Sequence, residues 1–171
     1  MPNSTGRLCR HTGQEVCIGP HRIRAGALMD MELKDFYGTD IVVVLTEGHP
    51  PTDRLPLEPS TRVLAFPIRD FDGAKGPWKK LLRGIIAALE HNEHVLICCE
   101  GGHGRTGMLL ASLMAIREQE LDPIATVRER YCVFAVETIE QAQTVFGVAG
   151  KTVPIRYRRS LPNRKSLSRA S

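Results

Sequence analysis

No stretch of the 171 residues reaches the roughly 18 consecutive apolar positions that a membrane span requires. Residues 1–13 are polar and lack the apolar run of a secretory signal, so the expectation is a cytoplasmic chain with no membrane partner. Acidic residues are missing from positions 151–171, which carry Lys151, Arg156, Arg158, Arg159, Arg164, Lys165 and Arg169. Taking those seven from the 23 Lys+Arg leaves 16 basic against 19 acidic residues in 1–150, so the body is near −3. The overall +4 and the pI of 8.9 belong to the last segment. A weakly acidic body is not a basic nucleic-acid module, and nucleic acid is not expected as a partner. The basic segment, by contrast, is available to an acidic partner. The five cysteines are odd in number, and Cys98 and Cys99 are adjacent, which argues against a secreted disulfide framework. There is also no internal repeat and no linker inside 1–150. With 42% hydrophobic residues, that stretch is long and apolar enough for one domain with a real core.

What is present alternates. Residues 14–23 are loosely strand-like and 31–37 suit a short helix. Ile41-Val42-Val43-Val44-Leu45 is a continuous β-branched run, the pattern of a strand buried on both faces. Loop signals occupy 48–51 and 56–60, and a short strand over 62–66 stops at Pro67. Trp78, Leu81, Leu82, Ile85, Ile86 and Leu89 recur at the spacing of one helix face, with Pro77 at the start. A second buried strand is expected over 95–99 and a helix apolar nearly all round over 106–116. Asp122-Pro123 reads as an N-cap and first-turn proline, opening a short helix to 130. Thr138-x-x-Gln141 matches a capping box, opening a helix to 146. The expected fold is α/β: a single domain with a central, mostly parallel sheet flanked by helices. Residues 151–171, basic and serine-rich with Pro154 and Pro162, read as a flexible tail.

The stretch that carries chemistry is Ile97-Cys98-Cys99-Glu100-Gly101-Gly102-His103-Gly104-Arg105-Thr106-Gly107. A cysteine six residues before an arginine is common by chance. Here, however, a buried strand feeds the cysteine, four glycines follow, and a long helix starts near Arg105. Glycines at 101, 102 and 104 let the loop turn tightly and aim backbone N–H groups inward. The helix N-terminus adds the positive end of its dipole. The result is a phosphate loop between a buried strand and a helix N-terminus, contributed by Glu100, Gly101, Gly102, His103, Gly104 and Arg105. The same cradle favours the thiolate of Cys99. Arg105 offers a planar fork for two phosphate oxygens, and Thr106 can donate its hydroxyl to the Cys99 sulfur. A nucleotide-binding P-loop is excluded, because no Lys-Ser/Thr pair follows the glycines.

This stretch resembles the signature loop of the cysteine-dependent protein tyrosine phosphatases, His-Cys-x-x-Gly-x-Gly-Arg-Ser/Thr-Gly. The small size and the order of elements to about residue 150 resemble the dual-specificity branch. The kinase-associated phosphatase subgroup looks nearest, through Pro-Ile-x-Asp and a last helix like Glu-Thr-Ile-Glu-Gln. The resemblance implies a phosphatase acting on phosphotyrosine, and also on phosphoserine and phosphothreonine, in proteins. Cys99 would attack phosphorus and form a phosphocysteine. Phe66-Pro67-Ile68-Arg69-Asp70 resembles the acid loop, with Asp70 in the general-acid place and Asp72 its rival. Gln141 matches a glutamine that helps place the hydrolytic water. No metal and no cofactor is implied. Alternatives on the same scaffold are a phosphatase of phosphoinositides, RNA 5′-phosphates or small molecules, or a phosphate-binding pseudoenzyme that docks a phosphoprotein.

Two residues depart from the pattern. Cys98 stands where the family usually has histidine, which weakens support for the thiolate. Glu100 puts an acid beside the nucleophile and disfavours highly anionic ligands. Separately, Cys9, His11, Cys17 and His21 are all zinc-ligand types within thirteen residues. Their spacing, Cys-x-His-x5-Cys-x3-His, fits no finger pattern, and the segment reads as an N-terminal strand.

Overall fold

The computed structural model describes residues 9–48, 55 and 57–167. The loop signals at 49–51 and 56, and the ends of the chain at 1–8 and 168–171, lie outside the described residues. Among the described residues five strands form one sheet: β1 (Thr12–Ile18), β2 (His21–Ala27), β3 (Ile41–Val44), β4 (Arg62–Ala65) and β5 (Val95–Cys99), in the order β1-β2-β5-β3-β4. The β1–β2 pair is antiparallel and every other pair is parallel. The fold is therefore the expected single α/β domain with a mostly parallel sheet and helices packed against it.

β5 lies at the middle of the sheet. It pairs with β2 on one side, Ala27 opposite Cys99, and with β3 on the other, Val44 opposite Cys98. Both β3 and β5 are buried at every position, which is why they read as unbroken apolar runs rather than as alternation. Alternation still sorts their side chains. Val43, Ile97 and Cys99 join the large core that includes α1 (Trp78–Glu90), α2 (Gly104–Arg117), α3 (Pro123–Arg130) and α4 (Ile139–Val148). Val42, Val44, Leu96 and Cys98 form a smaller cluster with Phe36, which ends a 3-10 turn over Leu33–Phe36.

The region read as one loose strand over 14–23 is instead a hairpin. Gly19 takes φ +57° in the turn, and Ile18 then faces His21 across it. α1 buries Trp78, Leu82, Ile85 and Leu89, with Pro77 at its N-cap rather than its first turn. α2 begins two residues earlier than expected and is buried through almost its whole length, which accounts for its weak amphipathicity. The cap of α3 forms as read, Asp122 accepting from Ala125 N–H at 3.2 Å. At α4 half of the capping box forms: Thr138 Oγ1 accepts from Gln141 N–H at 3.3 Å, but the Gln141 side chain accepts from Glu137 N–H rather than from Thr138.

The flexible tail is a correction. Residues 151–167 are docked, with helices α5 (Ile155–Ser160) and α6 (Arg164–Leu167). Val153 and Tyr157 enter the large core. The Tyr157 ring lies against Phe146, and its hydroxyl donates to Asp122 Oδ1 at 2.7 Å. Arg156 pairs with the same carboxylate. Pro162 C=O accepts from Ile139 N–H at 3.0 Å and the Glu140 carboxylate from Arg164 N–H, so the segment closes the first turn of α4. Val153 and Tyr157 are too few in a basic, serine-rich stretch to show as a pattern, yet Tyr157 finds the Phe146 ring on α4 and the Asp122 carboxylate at the start of α3.

Burial of Tyr157 against Phe146 leads to a measurable expectation. Tyr157→Ala should destabilise the protein by about 3 kcal/mol, as for other large-to-small aromatic deletions. Urea unfolding checks it; a midpoint unchanged at constant slope would mean the docking contributes nothing to stability.

Candidate active site

Cys99 is the last residue of β5, and the chain then turns through residues 100–103 into α2. The Cys99 side chain is buried, and its Sγ accepts from Gly102 N–H at 3.2 Å and from Thr106 Oγ1–H at 3.0 Å. One donor is a backbone N–H of the turn and the other is a hydroxyl on the first turn of α2. The glycines answer to specific neighbours. Gly102 has φ +74°, and a Cβ there would lie 3.0 Å from Ala27 and 3.1 Å from His11. A Cβ on Gly104 would fall 2.3 Å from Glu137 Oε2 and 2.6 Å from Gln141 Nε2.

Arg105 is almost fully buried, donates from Nη1 to Ile68 C=O at 3.1 Å, and holds Nη2 3.1 Å from Asp70 Oδ1. Asp70 itself is half exposed, on the loop that follows β4. A cavity of about 250 Å³ is lined by Met29, Asp70, Phe71, Cys99, Glu100, Gly101, His103, Gly104, Arg105 and Glu137. That is below the roughly 300–1,000 Å³ usual for whole small-molecule ligands, and is room for a phosphoryl group and the few atoms next to it. Cys99, Arg105 and Asp70 thus come together, with Thr106 beneath the sulfur and Glu100 exposed at the rim.

Asp72 is placed differently. It is nearly buried, accepts from Gly73 N–H at 2.9 Å, and pairs with Lys75 at 3.0 Å and Arg164 at 3.8 Å. Burial works to raise its pKa, but Lys75, the Gly73 N–H and Arg164 together hold the carboxyl below its ordinary range. Gln141 is fully buried, and its Oε1 accepts from Glu137 N–H at 2.7 Å; the cavity is lined by Glu137, not Gln141. Cys98 points to the opposite face of the sheet, its Sγ 3.7 Å from Val43 C=O, and burial followed by the neighbouring Cys99 pushes its thiol up. His103 lines the cavity, while its Nε2 lies 3.0 Å from Cys9 Sγ. Of the four zinc-ligand types near the N-terminus, Cys9 and His11 come together, whereas Cys17 is exposed on β1 and His21 stands at the hairpin turn.

Sequence reading missed Glu137. It sits in a loop just before the N-cap of α4, where periodicity is silent, and although it opens the Glu-Thr-Ile-Glu-Gln stretch, that resemblance gave it no part in the site. Its carboxyl is pushed up to about 7, first by burial and then by the negative Asp70, against the pull of Arg105 and the Gly104 N–H. Backbone strain flanks the same cavity: Phe71 and Val136 take φ of 61° and 62°. Thr138 Oγ1–H donates to Phe71 C=O at 2.8 Å, and Arg128 donates to the carbonyls of Ala135 and Val136 at 2.9 Å.

A family model described as a Swiss Army Knife protein, DSP-PTPase phosphatase domain (PTP-SAK) matches residues 26–145. Two uncharacterized proteins of Methanocaldococcus jannaschii are 49% identical over 53 residues and 46% identical over 57. Those stretches cover 31% and 33% of this chain, and the chain spans only 33% and 38% of the length of these relatives. Among solved structures, Tk-PTP in its active form aligns with a TM-score of 0.64 and 25% identity, over 81% of this chain and 97% of that one. Kinase associated phosphatase with its catalytic-site cysteine changed to serine aligns at 0.66 and 17% identity, over 85% and 99%. Human DUSP28 aligns at 0.59 and 15%, over 82% and 97%; these last two likenesses are of fold.

The raised Glu137 carboxyl has a pH consequence. A carboxyl whose folded pKa lies above its ordinary 4.5 stabilises the fold fully below that value, and the contribution is lost as pH rises through about 7. Stability should therefore fall across this window, with a slope of at most about 1.4 kcal/mol per pH unit from this group. Glu137→Gln should remove that component. Urea unfolding at intervals between these pH values checks it; an unchanged profile in the variant would locate the pH dependence elsewhere.

Proposed function

The chain belongs to the PTP-SAK family of DSP-PTPase phosphatase domains, and on that premise we propose that it hydrolyses phosphotyrosine, together with phosphoserine and phosphothreonine, in proteins through a phosphocysteine. The observation that carries the reading is Cys99 Sγ at the floor of the cavity, held by Gly102 N–H and Thr106 Oγ1–H, with Arg105 and Asp70 paired at its side.

The chemistry follows from those positions. The substrate phosphoryl group seats over the sulfur, where loop N–H groups and the Arg105 guanidinium meet its oxygens and displace Asp70 from the arginine. The Cys99 thiolate attacks phosphorus; the S–P bond forms as the ester P–O bond breaks. Asp70 gives its proton to the departing oxygen, which leaves as a neutral alcohol or phenol. Thr106 donates to the sulfur when it later departs. Water then attacks phosphorus, the S–P bond breaks, and Asp70 takes the proton from that water. Asp70 suits this role because it is half exposed at the mouth beside Arg105, whereas Asp72 is bound by Lys75 and Arg164. Gln141 reaches the site through Glu137 rather than from the cavity wall, so its part is to position the second carboxyl. Glu100 at the rim favours a singly phosphorylated side chain over a polyanionic lipid head. Five free thiols among the described residues suit a reducing compartment such as the cytoplasm.

Cys99→Ser should abolish turnover of an aryl phosphate while leaving vanadate binding intact. Arg105→Lys should fail as well, because a point charge cannot replace the two-pronged contact. Asp70→Asn should cost about 10²–10⁴-fold in kcat and flatten the basic limb of the pH–rate profile. The loss should shrink for substrates with acidic leaving groups, and Asp72→Asn should cost much less. Steady-state kinetics on a series of aryl phosphates tests all four; robust turnover by Cys99→Ser ends the mechanism, and a larger loss in Asp72→Asn or Glu137→Gln moves the acid.

Substrate class is tested on the same protein. Phosphotyrosyl peptides should exceed a trisphosphorylated inositol lipid and a 5′-phosphorylated RNA in kcat/KM. The opposite order would transfer the assignment to that other substrate.

A further inference from the structure

Four side chains from three distant parts of the chain converge beside the phosphate loop. Cys9 and His11 lead into β1, His103 is the N-cap of α2, and Cys132 follows α3. Each offers one ligand atom, and these atoms lie within 4.8 Å of one another. Cys9 Sγ is 3.0 Å from His103 Nε2 and 3.6 Å from Cys132 Sγ. In a tetrahedron with Zn–S near 2.3 Å and Zn–N near 2.0 Å, the edges are about 3.3–3.8 Å, so the longest separation must close by about 1 Å.

The surroundings supply the supports that a metal ligand needs. His11 is buried, and its Nδ1 is 3.1 Å from Gln14 Oε1, an acceptor that fixes the proton on Nδ1 and leaves the Nε2 lone pair free. Among the described residues, that buried Nε2 has no hydrogen-bond partner. A wholly buried imidazole nitrogen without a partner carries a desolvation cost that a cation would offset. The His11 backbone is itself fixed, its N–H donating to Asp30 Oδ2 at 3.0 Å and its C=O accepting from Ala27 N–H at 2.9 Å. Phe134 N–H donates to Cys132 Sγ at 3.4 Å, a contact that strengthens when the sulfur is a thiolate. Tyr131 stacks on His11 from one side.

We infer that Cys9, His11, His103 and Cys132 bind a zinc ion that ties the N-terminal segment to the phosphate loop. Two thiolates and two imidazoles form a set that suits this borderline-soft, tetrahedral cation. On binding, the thiol protons of Cys9 and Cys132 pass to solvent and the two thiolates balance the dication. No electron transfer is involved. With four protein ligands the site is closed, so its part is to hold the loop in place rather than to activate water.

The test uses full-length protein, reduced and desalted after expression with zinc. Stoichiometric zinc by elemental mass spectrometry is expected. Titration of chelator-stripped protein with Co(II) should give the intense visible bands of a tetrahedral thiolate site. Those bands should persist in Cys17→Ser and Cys99→Ser, which separates the site from the nucleophile and from the exposed thiol. They should be lost in the Cys9→Ser/Cys132→Ser double variant, and Gln14→Ala should weaken Co(II) binding by roughly 10-fold or more. Absence of both zinc and tetrahedral Co(II) bands in the unmutated chain would overturn the inference without reference to any variant's folding. Bands that survive the double variant, or vanish in Cys99→Ser, would overturn it too.

Discussion

The site depends on one sulfur held by two donors, one inside a tight turn and one on the helix that follows it. Gly102 N–H and Thr106 Oγ1–H both reach Cys99 Sγ, and they can do so only if the chain leaves the central strand and enters α2 within four residues. Everything nearby accommodates that compression. Ala27 and His11 press on Gly102, Glu137 and Gln141 on Gly104, and Ala135 on Gly107 within 2.6 Å of where a Cβ would stand. The glycines are thus required as much by what surrounds the loop as by the loop's own turn. Burial of nearly all of α2 then gives the helix start almost no freedom to move.

Strain collects where the cavity needs its carboxylates. Phe71 follows Asp70 and Val136 precedes Glu137, and both sit in the left-handed region, which is unusual for a bulky or β-branched residue. Each such residue costs on the order of 1–3 kcal/mol. The cost is sustained by hydrogen bonds from elsewhere: Thr138 on the Phe71 carbonyl and Arg128 on the two carbonyls before Glu137. Thr138 is also the N-cap of α4, so a single hydroxyl both starts that helix and anchors the loop carrying Asp70. The acid loop and the start of α4 are in this way one unit, although they are far apart in the chain.

Both ends of the described chain support this unit. Residues 9–11 reach the back of the phosphate loop at His103 and Gly102, and residues 151–167 close the first turn of α4 and pair with Asp72. The basic character of the last segment conceals this. Arg156 and Arg164 pair with acidic groups on the body, at Asp122 and Asp72, which uses part of the charge that composition alone would leave to a partner.

Much was legible beforehand, because local chemistry carries it. The unbroken apolar runs of β3 and β5 declare strands buried on both faces, and the face repeated from Trp78 to Leu89 declares α1. The caps at Asp122 and Thr138 follow from side-chain oxygens competing for the first free N–H groups of a helix. The cysteine, glycines and arginine of the loop are contiguous, so their chemistry could be read from one short stretch. What tertiary structure alone decided involves residues brought together over long separations. That Asp70 faces Arg105 while Asp72 is held by Lys75 and Arg164 is visible only in the folded chain. Glu137 becomes a site residue only because α4 packs on α2. Cys9 and His11 meet His103 and Cys132, rather than Cys17 and His21, because β1 runs away from the loop and turns back at Gly19. Side-chain period and capping are local and leave their mark on neighbouring residues. Proximity across a folded sheet leaves none, since each partner looks ordinary in its own stretch of chain.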